Sequence, residues 1–236
     1  MKVKNIFILA AMSLTLASCS DLFEPADENN RGLDEIYNEP TYAQGLLGYG
    51  YAMLPYNTKS VTDVATDDAV SNDLTNGYLK MATGSWTANS DPMSRWTNGR
   101  ASIQYLNIFL QEVDKVNWAK DENARKMYCD SRKGEAYALR ALNLYYLLMN
   151  HGGWTADGKL LGVPNLTEPE TSTDDFNKPR NTFQECLDQI YSDLDEAAKL
   201  LPLDYNDLTN DNDVPAKYKE IGVKTAGDYN RVFGSI

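Results

Sequence analysis

A chain of 236 residues with 22 Lys and Arg against 34 Asp and Glu carries a formal charge of −12. A surface of that sign repels phosphate backbones and anionic lipid, so binding to nucleic acid is excluded as a starting reading. The single histidine, His151, precedes Gly152 and Gly153 in a predicted loop, which removes most zinc sites and Ser-His-Asp chemistry.

The N-terminus reads as a signal peptide over residues 1–18. Lys2 and Lys4 precede an apolar run from Ile6 to Leu16, and Ala17 and Ser18 lead into Cys19. A basic start, a short apolar stretch and small residues before a cut define a cleaved secretory signal. A cysteine placed directly after Leu-Ala-Ser is the pattern at which lipoprotein-processing enzymes attach diacylglycerol, so Cys19 is the expected lipidation site. Each buried methylene contributes about 0.8 kcal/mol, and two or more acyl chains hold a protein stably on a bilayer. Residues 19–38, with Asp21, Glu24, Asp27 and Glu28, have the polarity of a solvated tether. No later apolar segment is long enough to cross a bilayer. Cys129 and Cys186 fall on separate predicted helices, where packing as small hydrophobes is favoured over pairing.

Folding is expected to begin near Pro40, which suits the first turn of a helix. Tyr42, Leu46, Tyr49 and Met53 recur at helical spacing, and Leu54-Pro55 should end the helix. Residues 56–94 show no sustained period and read as a long ordered loop carrying a short strand or helical turn. A second helix is predicted over Met93–Val116, with Trp96, Ile103, Leu106, Leu110 and Val113 on its core stripe. A third spans Glu122–Asn150. Its half from Ala141 to Met149 is apolar nearly all round, which predicts burial between other helices. Gly152 and Gly153 are expected to supply a left-handed C-terminal cap. After a connection over 151–179, Thr182 and Glu185 have capping-box spacing. The following helix carries Phe183, Leu187, Ile190, Leu194, Ala197 and Leu201, and closes at Pro202. Residues 203–231 are polar without a clear period. The second and third helices form an antiparallel pair, the unit from which helical repeats are stacked. The third needs more neighbours than the remaining elements offer, so the segment 39–236 reads as an incomplete, C-terminally truncated fold.

Asp63, Asp67, Asp68 and Asp73 have the oxygens of a calcium site or a carboxylate pair, but in an acidic loop they read first as solvated turn formers. Asp207 to Tyr218 fails as an EF-hand, with Asn212 at the glycine position and Tyr218 in place of the bidentate glutamate. No metal or cofactor is expected.

Several runs together resemble the SusD/RagB family of outer-membrane nutrient-binding lipoproteins. They are Leu-Ala-Ser-Cys19-Ser-Asp, Arg132-Lys-Gly134-Glu135-Ala136-Tyr-Ala-Leu139-Arg140-Ala141, Gly162-Val163-Pro164 and Arg180-x-Thr182. The stretch Ile190, Asp193-Leu194, Ala197-Ala198 and Leu201-Pro202 extends them. The resemblance implies a mainly α fold of tetratricopeptide-like helix pairs with irregular ligand-binding loops. It implies a surface-exposed, lipid-anchored outer-membrane protein that binds an oligosaccharide or polysaccharide and delivers it to a TonB-dependent, SusC-like transporter. Members are considerably longer than this chain.

Glycan binding needs flat aromatic faces for the apolar side of a sugar and polar groups for its hydroxyls. Trp86, Asn89, Asp91 and Arg95 offer that set within ten residues, in the region where the resemblance places ligand contacts, with Tyr78 and Asp73 next. Trp96 is assigned to the core by its stripe position and by the family's Trp96-to-Asn107 helix pattern. Arg132, Glu135 and Arg140 are assigned to architecture, as ion pairs or caps of carbonyls between helices. The first reading is therefore a non-enzymatic binding lipoprotein. The alternatives are a helical-repeat adaptor for protein partners and, behind it, a glycoside hydrolase using two of the carboxylates.

Overall fold

The computed structural model describes residues 37–55, 61–87 and 89–234; the signal segment, Cys19 and all but the end of the 19–38 tether lie outside them. Helix α1 (Pro40–Ala52) starts with its proline in the first turn, as expected. It buries Ala43, Leu47 and Gly50, whereas Tyr42 and Tyr49 of the predicted stripe are exposed. The reason is the closeness of the packing. A β-carbon on Gly50 would lie 2.8 Å from Leu106 and 3.3 Å from Leu139, so only the face with small residues fits.

The segment after α1 is ordered where it is described. It holds a 3-10 turn at Val61–Ala65 and helix α2 (Gly77–Ala82), capped by the Asn76 side chain, which accepts from the Tyr78 amide. An isolated bridge, Thr87 to Ser90, follows. Helix α3 (Trp96–Glu112) buries Ile103, Leu106 and Phe109. Trp96, predicted in the core, is instead 40% exposed. At that end α3 meets its neighbour through Gly99, whose β-carbon would lie 2.8 Å from Leu147. No indole fits between helices that close.

Helix α4 (Glu122–His151) starts at Asp121, whose carboxylate accepts from the Ala124 amide. It runs antiparallel to α3: Gly99 meets Leu147 at one end and the Cys129 thiol donates to Val113 O at the other. Contrary to the expectation, its C-terminal half is not buried all round: Leu142, Tyr145 and Met149 are exposed, the last by 61%. Helices α3 and α5 cover two sides of α4. On the third side α1 contacts it at Glu135 and Leu139, before the exposed stripe begins. Burial and Glu135 push the Tyr51 phenol up to about 12, so it stays a hydrogen-bond donor to that carboxylate. The end of α4 also differs from expectation. Gly152 is extended (φ −79°, ψ 158°) rather than left-handed, and glycine is required there by close approach, since a β-carbon would lie 2.6 Å from Leu148 O.

A small hairpin follows, with β1 (Gly153–Trp154) antiparallel to β2 (Leu160–Leu161). Its turn places Gly158 at φ +78°. Strands of two residues leave no alternation to read, and the hairpin was not foreseen. Helix α5 (Phe183–Leu200) has the expected capping box, with both reciprocal hydrogen bonds between Thr182 and Glu185. Its buried face is Cys186, Ile190, Asp193 and Ala197, rotated from the predicted stripe so that Leu194 is exposed. Cys129 and Cys186 are unpaired. Residues 203–231, read as aperiodic, contain a 3-10 turn at Asp211–Asp213 and helix α6 (Ala216–Glu220), and helix α7 (Ala226–Phe233) starts within them. Helices this short complete too few turns to show a period. Val214, Tyr218, Val223, Tyr229 and Phe233 pack on Met127 of α4 as a separate core. Lys217 Nζ donates to the carbonyls of Lys199, Leu200 and Leu201 and so caps α5.

Arg140 explains the rotation of α5. Its guanidinium pairs with both oxygens of Asp193 at 2.8 and 2.6 Å and donates through Nη1 to Asn107 Oδ1 and Thr167 O. Both charges are almost fully buried. The expected pairing between helices is found at Arg140, whereas Arg132 pairs with Glu135 within one helix and Glu135 reaches α1 by accepting from Tyr51. Removing one partner of a buried pair leaves an uncompensated charge, at a cost of about 3–5 kcal/mol. Asp193→Ala is expected to lose stability of that order in urea denaturation, while Asp195→Ala, on the exposed face of α5, should lose little.

Candidate functional site

The irregular segment between α1 and α3 folds back on the C-terminal half of α4 and leaves a cleft of about 460 Å³. Leu54 and Pro55 after α1 form one wall and Pro92, Met93 and Arg95 before α3 form another. Thr62 of the 3-10 turn, Tyr78, in the first turn of α2, and Tyr146, Met149 and Asn150 of α4 complete it. Local chemistry positions each part. The Asn76 cap sets Tyr78, and α2 abuts the second wall so closely that a β-carbon on Gly77 would lie 2.8 Å from Pro92. Asp91 Oδ1 accepts from the Met93 amide and Asp91 O from the Ser94 amide, turning the chain into α3. Arg95 Nη2 donates to Met53 O at 2.6 Å, which ties this wall to the end of α1.

Of the six residues picked from the sequence, Tyr78 and Arg95 come together in the cleft. Asp91 is half-buried behind them, close enough that its charge acts on His151. Trp86 is 50% exposed and Asn89 is exposed in the Thr87–Ser90 turn; neither lines the cleft. Asp73 is committed locally. Its Oδ1 accepts from the amide and hydroxyl of Thr75, and those bonds hold its carboxyl below the ordinary range. Tyr146, Met149 and Asn150 were missed, because an apolar helix half reads as core and nothing in its own pattern tells an open face from a covered one. Asp63 lies in the 3-10 turn, and Asp67 and Asp68 are exposed beyond it. Among the described residues no three His, Cys, Asp or Glu side chains stand close enough to hold a metal ion.

His151, read as a loop residue, is the last residue of α4. Its Nε2 accepts the Arg95 amide at 3.1 Å and lies 3.4 Å from Ser94 Oγ. A backbone N–H can only donate, so the ring is neutral with its proton on Nδ1. Burial lowers its pKa, Asp91 raises it and Arg180 lowers it, with a net downward shift. Trp96 stands edge-on to the imidazole at 5.4 Å, and Arg100 lies over the other ring system, 5.4 Å from the Trp96 centroid. Arg180 reinforces this end of α4. Its Nε donates to Gly162 O, and its Nη2 donates to His151 O and Leu161 O.

The lining combines two phenol rings, leucine, thioether and proline surface, a threonine hydroxyl, a guanidinium and an amide. That mixture suits a ligand with apolar faces and hydroxyl edges.

Comparison with known proteins agrees with this architecture. Residues 33–216 match the SusD-like family model described as "Starch-binding associating with outer membrane", and the chain belongs to that family. It is 29% identical over 224 residues to the SusD-like protein P38 of Formosa agariphila, a match covering 88% of this chain and 40% of the relative. The chain thus spans about two fifths of the length of that relative. A putative sugar binding protein of Bacteroides vulgatus is similar at 30% identity and a TM-score of 0.54, covering 72% of this chain and 38% of the other. A laminarin binding SusD-like protein is similar at 26% identity and a TM-score of 0.53, covering 70% and 34%. The fold class expected from the sequence, mainly α with helix pairs and irregular loops, is the one observed and shared.

A hydrogen bond from a charged donor contributes about 1.5–3 kcal/mol. Arg95→Met, which keeps length and removes the donor to Met53 O, is expected to lower stability by about 1.5 kcal/mol in chemical denaturation, the low end because Arg95 is only half-buried.

Proposed function

We propose that this chain is a non-enzymatic, surface-exposed lipoprotein segment that binds glycan and serves a TonB-dependent, SusC-like transporter in the outer membrane. The observation that carries the reading is the cleft, with Tyr78, Arg95, Tyr146 and Asn150 converging from separate stretches of the chain, in a family described as starch-binding. The laminarin-binding neighbour supports a glucan as the first ligand to try. Trp86, half-exposed outside the cleft, supplies a second stacking surface, which suits a ligand of several sugar units. Asn89, Asp91 and Asp73 remain part of the proposed ligand-contacting set as polar groups of the same irregular segment. A pattern of Leu16-Ala17-Ser18 before Cys19 supports the anchor, with residues 1–18 removed, 19–38 as the tether and 39–236 as the folded part.

Two measurements test this reading. Isothermal titration with soluble glycans, laminarin included, should show binding without consumption of the glycan. Trp86→Ala should weaken it by about 1–3 kcal/mol, the worth of one stacked ring by analogy with bases on aromatic side chains, without change in the unfolding transition; unchanged affinity sinks the role of Trp86. In a cell that processes lipoproteins, labelled palmitate should enter the wild type and be absent from Cys19→Ala, which should also leave the membrane fraction.

A further inference from the structure

We propose that His151 is a positioning residue for the cleft, holding the Pro92–Arg95 wall in place through the Arg95 amide only while its imidazole is neutral, so that ligand binding weakens in acid. The inference rests on the reading of the cleft as a binding site for its consequence, but the latch itself stands on geometry. The Arg95 amide belongs to the residue immediately before α3, where helix N–H groups have no intrahelical acceptor. Here the acceptor comes from the end of α4, 56 residues away in sequence. Arg95 lines the cleft on one side of this bond, and Met149 and Asn150, just before His151, line it on the other. The bond therefore closes the wall across two of the elements that make the cleft.

Every element packed on the imidazole bears on its charge. From the segment before α3, Asp91 favours the protonated ring. From the segment before α5, Arg180 opposes it while donating to the His151 carbonyl. Ser94 and Trp96 contribute a hydroxyl and an aromatic edge, and Arg100 sits against the far partner, Trp96. Burial is the largest influence and favours the neutral form, so the folded pKa lies below the ordinary histidine value of 6.5. The sign follows. A base whose pKa is depressed by folding contributes fully above its unfolded pKa and loses that contribution as pH falls through the folded value. Protonation places an N–H on Nε2 against the Arg95 N–H, two donors facing each other, and the latch opens. At neutral pH it is closed, so the device acts only on entry into an acidic medium.

The test compares wild type, His151→Gln, whose Oε1 reaches the place of Nε2 and does not titrate, and His151→Phe, which cannot accept. Backbone amide exchange of Arg95, corrected for its intrinsic pH dependence, should lose protection about tenfold in the wild type between about pH 7.5 and pH 5. His151→Gln should be protected at both values and His151→Phe at neither. Laminarin affinity should follow the same pattern, flat with pH in His151→Gln and falling in the wild type. Equal protection of Arg95 at both pH values in the wild type overturns the latch, whatever laminarin does. Protection that follows pH while laminarin binds at no pH confirms the latch and counts against the glucan reading instead. If His151→Phe fails to fold, the contrast between wild type and His151→Gln still decides.

Discussion

The helical body turns on one buried side chain. Arg140 carries its charge into the space between α3, α4 and α5, and every stable arrangement of those helices must supply acceptors for it. Asp193 takes two of its donors, and Asn107 and the Thr167 carbonyl take a third nitrogen. Asn107 in turn donates to Leu166 O and Glu168 O, so the loop before α5 is fixed by the same network. Two further positions at helical spacing on α3 extend the clasp. Gln104 exchanges both hydrogen bonds with the backbone of Glu170, and Arg100 pairs with the Glu170 carboxylate. A buried charge is costly unless all its partners are present, which makes the network selective for one register of α5 against α4. That is why the apolar stripe of α5 is rotated and Leu194 faces solvent.

What the sequence revealed and what it hid divide along the range of the interactions. The Thr182–Glu185 capping box was legible because both partners sit three residues apart and answer to each other alone. The extent of α3 and α4 was legible because each runs for four turns or more. The faces were not. Trp96 falls on the apolar stripe of α3, yet the approach of Gly99 to Leu147 leaves no room for it. Leu142, Tyr145 and Met149 look like core from within α4, and only the placement of α1, set by Gly50, decides that they stay open. The Asx turn at Asp73 shows the opposite error, a residue whose polarity suggests a ligand but whose oxygen is already satisfied by Thr75.

The cleft follows from these long-range constraints. The α4 wall is helical throughout, whereas Leu54 and Pro55 lie outside regular structure, and so does the segment before α3. It is held by Arg95 to the end of α1 and by His151 to the end of α4, and α4 is held by Arg140. Several polar groups near the cleft are already committed to the protein. Arg95 Nη2 goes to Met53 O, Asn150 Nδ2 to Tyr146 O and Asp91 Oδ1 to the Met93 amide.

That commitment shapes what the cleft can recognise. With these polar groups fixed by internal bonds, the rings of Tyr78 and Tyr146 and the side chains of Met93 and Met149 supply the apolar part of the surface offered to a ligand, beside Thr62, Arg95 and Asn150. Ring faces are tolerant of which sugar they meet, whereas hydrogen bonds to hydroxyls discriminate among sugars by leaving polar groups unpaired when the wrong one enters. In the proposed glycan site, stacking on these rings supplies affinity and the shape of the irregular segment contributes to selectivity. The latch at His151 then has more effect than a change in one hydrogen bond would suggest, because moving the Pro92–Arg95 wall alters the shape on which selectivity depends.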